Sequence, residues 1–229
     1  VYKRQLLFSL VHGYPEWFWR MPVKEGAYFA VGYAPSSPYL SSAIAHAVKY
    51  AEIELSRSLG FEIVVEGESE ATPYGDRWID RKTEESVDTT RNIPYYVLDT
   101  AITDHMVLVL IGTEPGIAPL YQPPDHWWCR MPQEKEDVYS VGTAPVYFYE
   151  TSSWKEAEAV ARKNLAQSIF CNVKATWDIM GDAIEGRKIE KSHVFITSYQ
   201  VVARHRENEL YYVLIKGKGG RYVSAGDNR

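Results

Sequence analysis

Two stretches of the chain carry the same order of apolar and polar positions. Residues 27–33 and 137–143 are aromatic and β-branched and close on a glycine, which predicts a strand in each. After Pro35 and Pro145 the apolar positions recur every fourth residue: Ala43, Ala47, Ala51, Leu55 and Leu59 in one stretch, Ala157, Ala161, Leu165 and Ile169 in the other. That spacing predicts helices over 38–59 and 148–169 whose small side chains let them lie close on a sheet. Residues 61–65 and 171–175 then read as strands. Two further β segments follow in each half, 93–102 with 106–112 and 193–203 with 209–216. The short polar connections Thr103-Asp104-His105 and Arg206-Glu207-Asn208 predict hairpins.

The likeness extends to residue identity. At an offset of 110, Trp17 matches Trp127, Arg20-Met21-Pro22 matches Arg130-Met131-Pro132, and Val31-Gly32 matches Val141-Gly142; residues 16–66 share 14 identities in 51. Chance gives about 3. Val109-Leu110-Ile111 matches Val213-Leu214-Ile215 at an offset of 104, so the first half carries six extra residues. The expected fold class is α+β, with two tandem β-α-β-β-β modules, each one helix on a mostly antiparallel sheet. The expected boundaries are 14–112 and 124–216, with 113–123 a Pro/Gly linker, 67–88 an acidic surface loop and 217–229 a flexible tail.

Composition narrows the function. The 229 residues are 45% hydrophobic and carry a net charge of -5, with no long basic run to track a phosphate backbone, so nucleic acid is not an expected partner. No apolar run reaches the ~20 residues of a membrane-spanning helix. Two cysteines, Cys129 and Cys171, cannot build a multi-cysteine zinc site. The six histidines show no His-x-x-x-His spacing and are expected at the surface. No Gly-x-Ser-x-Gly occurs, and the carboxylates Glu66, Glu68, Glu70, Asp76 and Asp80 fall in the predicted loop, where solvent keeps their acidities alike. The expectation is a chain without catalytic residues, cofactor or metal, and not an enzyme.

Residues 1–5 read like translated adaptor sequence, and 6–13 like the end of a secretory segment with Val11 and Gly13 before the cleavage. A native edge strand over 5–11 is the alternative. The order Pro-x-Trp, Arg-Met-Pro, an aromatic strand ending in Val-Gly and an Ala-rich helix resembles the Lpp-twenty lipoprotein family of the bacterial envelope. It is also similar to the amino-terminal domain of the flagellar assembly T-protein. The resemblance covers residues 15–66 and 125–176 and implies an exported, non-enzymatic envelope protein, periplasmic or outer-membrane associated, with an envelope protein as partner. A lipoprotein has a cysteine directly after its signal segment, and this chain has none before Cys129. A soluble periplasmic or secreted form fits better than a lipid-anchored one.

Two sets of residues remain as candidate sites. Trp17, Trp19, Arg20, Trp127, Trp128 and Arg130 suit an aromatic and cationic interaction surface, but their repetition in both modules favours the reading that they pack under the sheet edge and lock each module's entry segment. Cys129 and Cys171 stand where the first half has Trp19 and Phe61. A disulfide and two separate thiols both fit that placement. The main reading is protein binding or assembly; the alternative is a small-ligand carrier or enzyme with a pocket between the modules.

Overall fold

The computed structural model describes residues 9–10, 13–72, 75–133, 137–178 and 188–224, and of 9–10, 65–72, 75–83, 170–178, 188–193 and 220–224 the backbone. It is an α+β protein with two largely antiparallel sheets and three helices among the described residues. In chain order the elements are β1 (Ser9–Leu10), α1 (Glu16–Trp19), β2 (Phe29–Pro35), α2 (Leu40–Ser58), β3 (Phe61–Thr72), β4 (Gly75–Ser86), β5 (Tyr96–Ile102), β6 (Met106–Gly112), β7 (Val138–Pro145), α3 (Glu150–Asp178), β8 (Lys188–Glu207) and β9 (Leu210–Ser224). The first sheet runs β1-β5-β6-β2 and the second β4-β3-β8-β9-β7.

Both alanine stripes pack as their spacing requires. Ala43, Ala47, Ala51 and Leu55 are buried against Ala30, Ala34, Val107, Val109 and Ile111 of the first sheet. Ala157, Ala161, Leu165 and Ile169 are buried with Ala144, Val213 and Ile215 of the second. Gly32 lies opposite Val109 and Gly142 opposite Val213, so the two pairings keep the offsets seen in the sequence. Each glycine admits a helix backbone. A Cβ at Gly32 would stand 1.9 Å from the Ala47 carbonyl oxygen, and one at Gly142 2.0 Å from that of Ala157. The opposite face of the first sheet, with Val31, Tyr33, Leu108 and Leu110, joins Phe18 and Trp154 in a core shared by both halves.

Four expectations change. Residues 171–175 are helical, not a strand, because α3 lacks the glycine that stops α2. Gly60 adopts φ +115° just past α2, and the equivalent residue is Phe170, which holds no such bend, so α3 runs on to Asp178. Residues 67–88 are largely the arms of the β3–β4 hairpin rather than a loop, because β3 has pairing neighbours on both edges, β4 and β8. That pairing carries the first half's β3 into the second sheet. Residues 217–224 of the predicted tail continue β9 beside β8 and β7; residues 225–229 lie outside the described ones. Near the start, Ser9–Leu10 pair in parallel with Ala101 and Ile102, as the edge-strand alternative has it; the rest of the predicted signal segment, save Gly13, lies outside the described residues. The linker is pinned by a hydrogen bond from the Val23 amide to the Pro119 carbonyl and a bridge between Pro22 and Leu120.

Both predicted hairpins form. In the second, Asn208 and Glu209 both have positive φ, 50° and 64°, the conformation that suits the twist of two-residue turns. The glycine contacts give the first test: Gly32→Ala and Gly142→Ala are each expected to lower stability by about 3 kcal/mol, read from urea unfolding midpoints. A loss within about 0.5 kcal/mol at either position contradicts the close helix–sheet approach.

Candidate functional site

The densest cluster of charge lies inside the protein. α3 rests on the second sheet while its other flank reaches β2 and β3. Glu158 and Arg162, next in sequence to the stripe residues Ala157 and Ala161, are thereby buried. Arg204 of β8 donates from Nη2 to Glu158 Oε1 at 2.7 Å and from Nη1 to the Phe18 carbonyl at 3.1 Å. Tyr50 of α2 donates to Glu158 Oε2 at 2.8 Å. Arg162 donates to Glu85 Oε2 at 2.7 Å and to the Tyr199 hydroxyl at 3.4 Å. Arg57 completes the group by pairing with Glu54 and Glu85. Three carboxylates thus meet three guanidiniums, and formal charge cancels.

Burial sets the acidities. It raises Glu54, with Arg57 working against it. Burial also pushes Glu85 upward, but Arg162 and Arg57 together outweigh it and hold the carboxyl below its ordinary 4.5. Burial raises the phenols of Tyr33, Tyr50 and Tyr199, so they stay uncharged within the network. The cavity bordered by Glu54, Tyr199 and Arg204 measures only ≈ 10 Å³, about enough for one water. A substrate has no room there. The network joins the halves rather than presenting groups to a ligand.

An open concavity of ≈ 290 Å³ lies at the surface, where the entry segment meets β8. Arg20 bridges to Ala203 and the Met21 amide donates to the Val202 carbonyl, so residues 20–22 take the place beside β8 that β3 leaves vacant beyond Phe61. The concavity gathers Trp19 and Arg20 from the first half with Asp125, His126, Trp127, Trp128 and His205 from the second. Trp128 is fixed on one face by His205, whose ring stacks at 3.7 Å and 14°, and flanked by His126 at 5.2 Å and Trp127 at 5.8 Å. Burial lowers the His205 imidazole below its usual range, and its Nε2 is buried 3.9 Å from Glu207. His126 holds a left-handed φ of 54°, uncommon outside glycine.

Of the six candidate surface residues, Trp19, Arg20 and Trp128 converge here, and Trp127, itself buried, backs the concavity. Trp17 does not: it is buried and its Nε1 donates to Asp99 at 2.8 Å, locking the entry segment to β5. Arg130 is exposed on the turn after the concavity. Cys129 has a free, exposed thiol, and the side chain of Cys171 lies outside the described residues. The aromatic pair behind the disulfide expectation packs separately, Trp19 on Phe18 and Trp154, Phe61 on Tyr199. His46, His105 and His126 are exposed as expected, whereas His205 is half-buried. The side chains of Glu66, Glu68, Glu70, Asp76 and Asp80 lie outside the described residues. Among those described, no group of three or more His, Cys, Asp or Glu is placed to hold a metal, and no helix is long and apolar enough to cross a membrane.

The sequence reading missed the buried network because it assigned each helix a single apolar stripe. Charged residues directly beside the stripe, at 54, 158 and 162, were the available signal. Fold and site together define an α+β protein with a sealed ionic core and an aromatic surface cleft. Compared with protein-family models, curated proteins and solved structures, the chain matches none of them.

Two measurements probe the network. Arg204→Met leaves Glu158 buried without its cation and is expected to cost about 3–5 kcal/mol, most of it recovered in the Arg204→Met, Glu158→Met double variant. A loss below about 1 kcal/mol contradicts the pairing. Glu85, being depressed, stabilises the fold above its ordinary 4.5 and loses that contribution as pH falls through its lower folded value. The gap in stability between the wild type and Glu85→Gln is therefore expected to be full at neutral pH and to shrink below pH 4.5; a gap that widens on acidification contradicts it.

Proposed function

We propose that the chain is a non-catalytic, exported protein of the bacterial envelope, built from two tandem copies of one plan, a strand, a helix and a closing β-hairpin, that binds through the concavity around Trp19, Arg20 and Trp128. The tandem reading is supported by positions that correspond at the sequence offsets. Gly32 and Gly142 make the same approach to a helix, and Tyr95, which donates to Glu52 at 2.8 Å, answers to Tyr199, which accepts from Arg162. The envelope placement rests on the resemblance to the Lpp-twenty family.

The observation that carries the binding role is the convergence of three candidate surface residues, Trp19, Arg20 and Trp128, from both halves, in one open concavity. Aromatic rings held rigid by neighbours and flanked by a few polar groups are what ligand sites require. The buried titratable groups are enclosed, which supports binding over catalysis. A concavity shared by the two halves also favours a small-ligand carrier over a flat protein contact.

Immobilised protein is expected to retain a component of bacterial envelope extract, and Arg20→Ala and Trp128→Ala are each expected to reduce retention about tenfold, or ~1.4 kcal/mol, with circular dichroism unchanged. Retention that ignores both substitutions, or no retention at all, removes the reading.

A further inference from the structure

Resting on that binding reading, we infer that the concavity takes a neutral saccharide, one pyranose ring packed in the aromatic cleft with its hydroxyls bonded at the rim. The volume of ≈ 290 Å³ falls just below the ~300–1,000 Å³ of small-molecule sites, which suits one ring of a chain that continues into solvent. Trp128 is already oriented by the His205 stack and by Trp127 and His126, so binding does not have to order it. An indole surface accepts the C–H face of a sugar ring, and the hydroxyls point outward in the ring plane toward polar neighbours.

The rim supplies both halves of a hydroxyl's hydrogen bonding. Arg20, the exposed His126 and the half-buried indoles of Trp19 and Trp128 are donors, and no acceptor is recorded for the two indole N–H groups among the described residues. Asp125 is an acceptor, and it has no hydrogen-bond or ion-pair partner among the described residues. This mixture discriminates between ligand classes. An anion would meet the Asp125 carboxylate, and the charge of Arg20 is already offset by Glu16 at 3.8 Å, although its N–H groups beyond the one donated to Gln122 at 3.0 Å stay available to a neutral acceptor. A proline-rich peptide would satisfy the donors through its carbonyls but has few N–H groups to offer Asp125. A hydroxyl both donates and accepts, and so answers Asp125 and the donors at once.

Isothermal calorimetry and intrinsic fluorescence with cello-, chito- and malto-oligosaccharides, and with a polyproline peptide, test the assignment on the whole chain. Saturable binding of at least one oligosaccharide is expected, weakened about tenfold by Asp125→Asn and by Trp128→Ala, and unchanged by Phe148→Ala at a remote exposed aromatic. Asp125 is exposed, so its variant decides the matter if Trp128→Ala unfolds the protein. No oligosaccharide bound more tightly than about 10 mM, binding of the polyproline peptide alone, or saccharide binding indifferent to both substitutions overturns the inference. Trp128-dependent capture from envelope extract with no saccharide bound would sink the saccharide while leaving the binding role intact; loss of both would sink both.

Discussion

Arg204 and Glu158 are buried together, with side chains 1% and 0% exposed, and this pair constrains the rest of the molecule. An isolated charge in such a place is prohibitive, so each ion depends on the other and on the groups that complete its hydrogen bonding. Those groups come from both ends of the chain, Tyr50 from α2 and the Phe18 carbonyl from the entry segment, and beside the pair Arg162 of α3 meets Glu54 of α2 and Glu85 of β4. Neither half contains the full set. The halves therefore close on each other with one registry, because any slip strands a charge.

The crossover of β3 reinforces this. Phe61 to Ser69 pair with Ile196 to Lys188, so the second sheet is built from both halves of the chain. The same exchange opens a gap beside β8 beyond Phe61, which residues 20–22 fill. Filling that gap brings Trp19 and Arg20 beside Trp127 and Trp128. The surface cleft is a geometric consequence of how the interior is assembled.

Much of the fold was legible from the chain. Helix stripes at every fourth residue, the strands that carry Val-Gly at their middle and two polar hairpin connections declare themselves locally, because each follows from backbone periodicity and turn chemistry. What was not legible depends on partners distant in sequence. The 67–88 region has a loop's composition, and only pairing with β8 and β4 makes 67–72 and 75–86 strands. The end of α3 turned on one residue, Phe170 in the place of Gly60. The aromatic cleft was half legible: the repeated Trp and Arg positions drew attention to the right residues, but identical spacing gave Trp17 a buried bond to Asp99 and Trp127 a place in the cleft. His205 gave no local sign at all.

The buried ions and the shared sheet bind the two halves into one cooperative unit. Native-state amide hydrogen exchange tests it most directly, comparing β6 in the first sheet with β9 in the second across increasing denaturant. The slowest amides of both strands are expected to merge into one opening with the global unfolding free energy. Two separate openings, with β6 exchanging through a partial unfolding that leaves β9 protected, would contradict it.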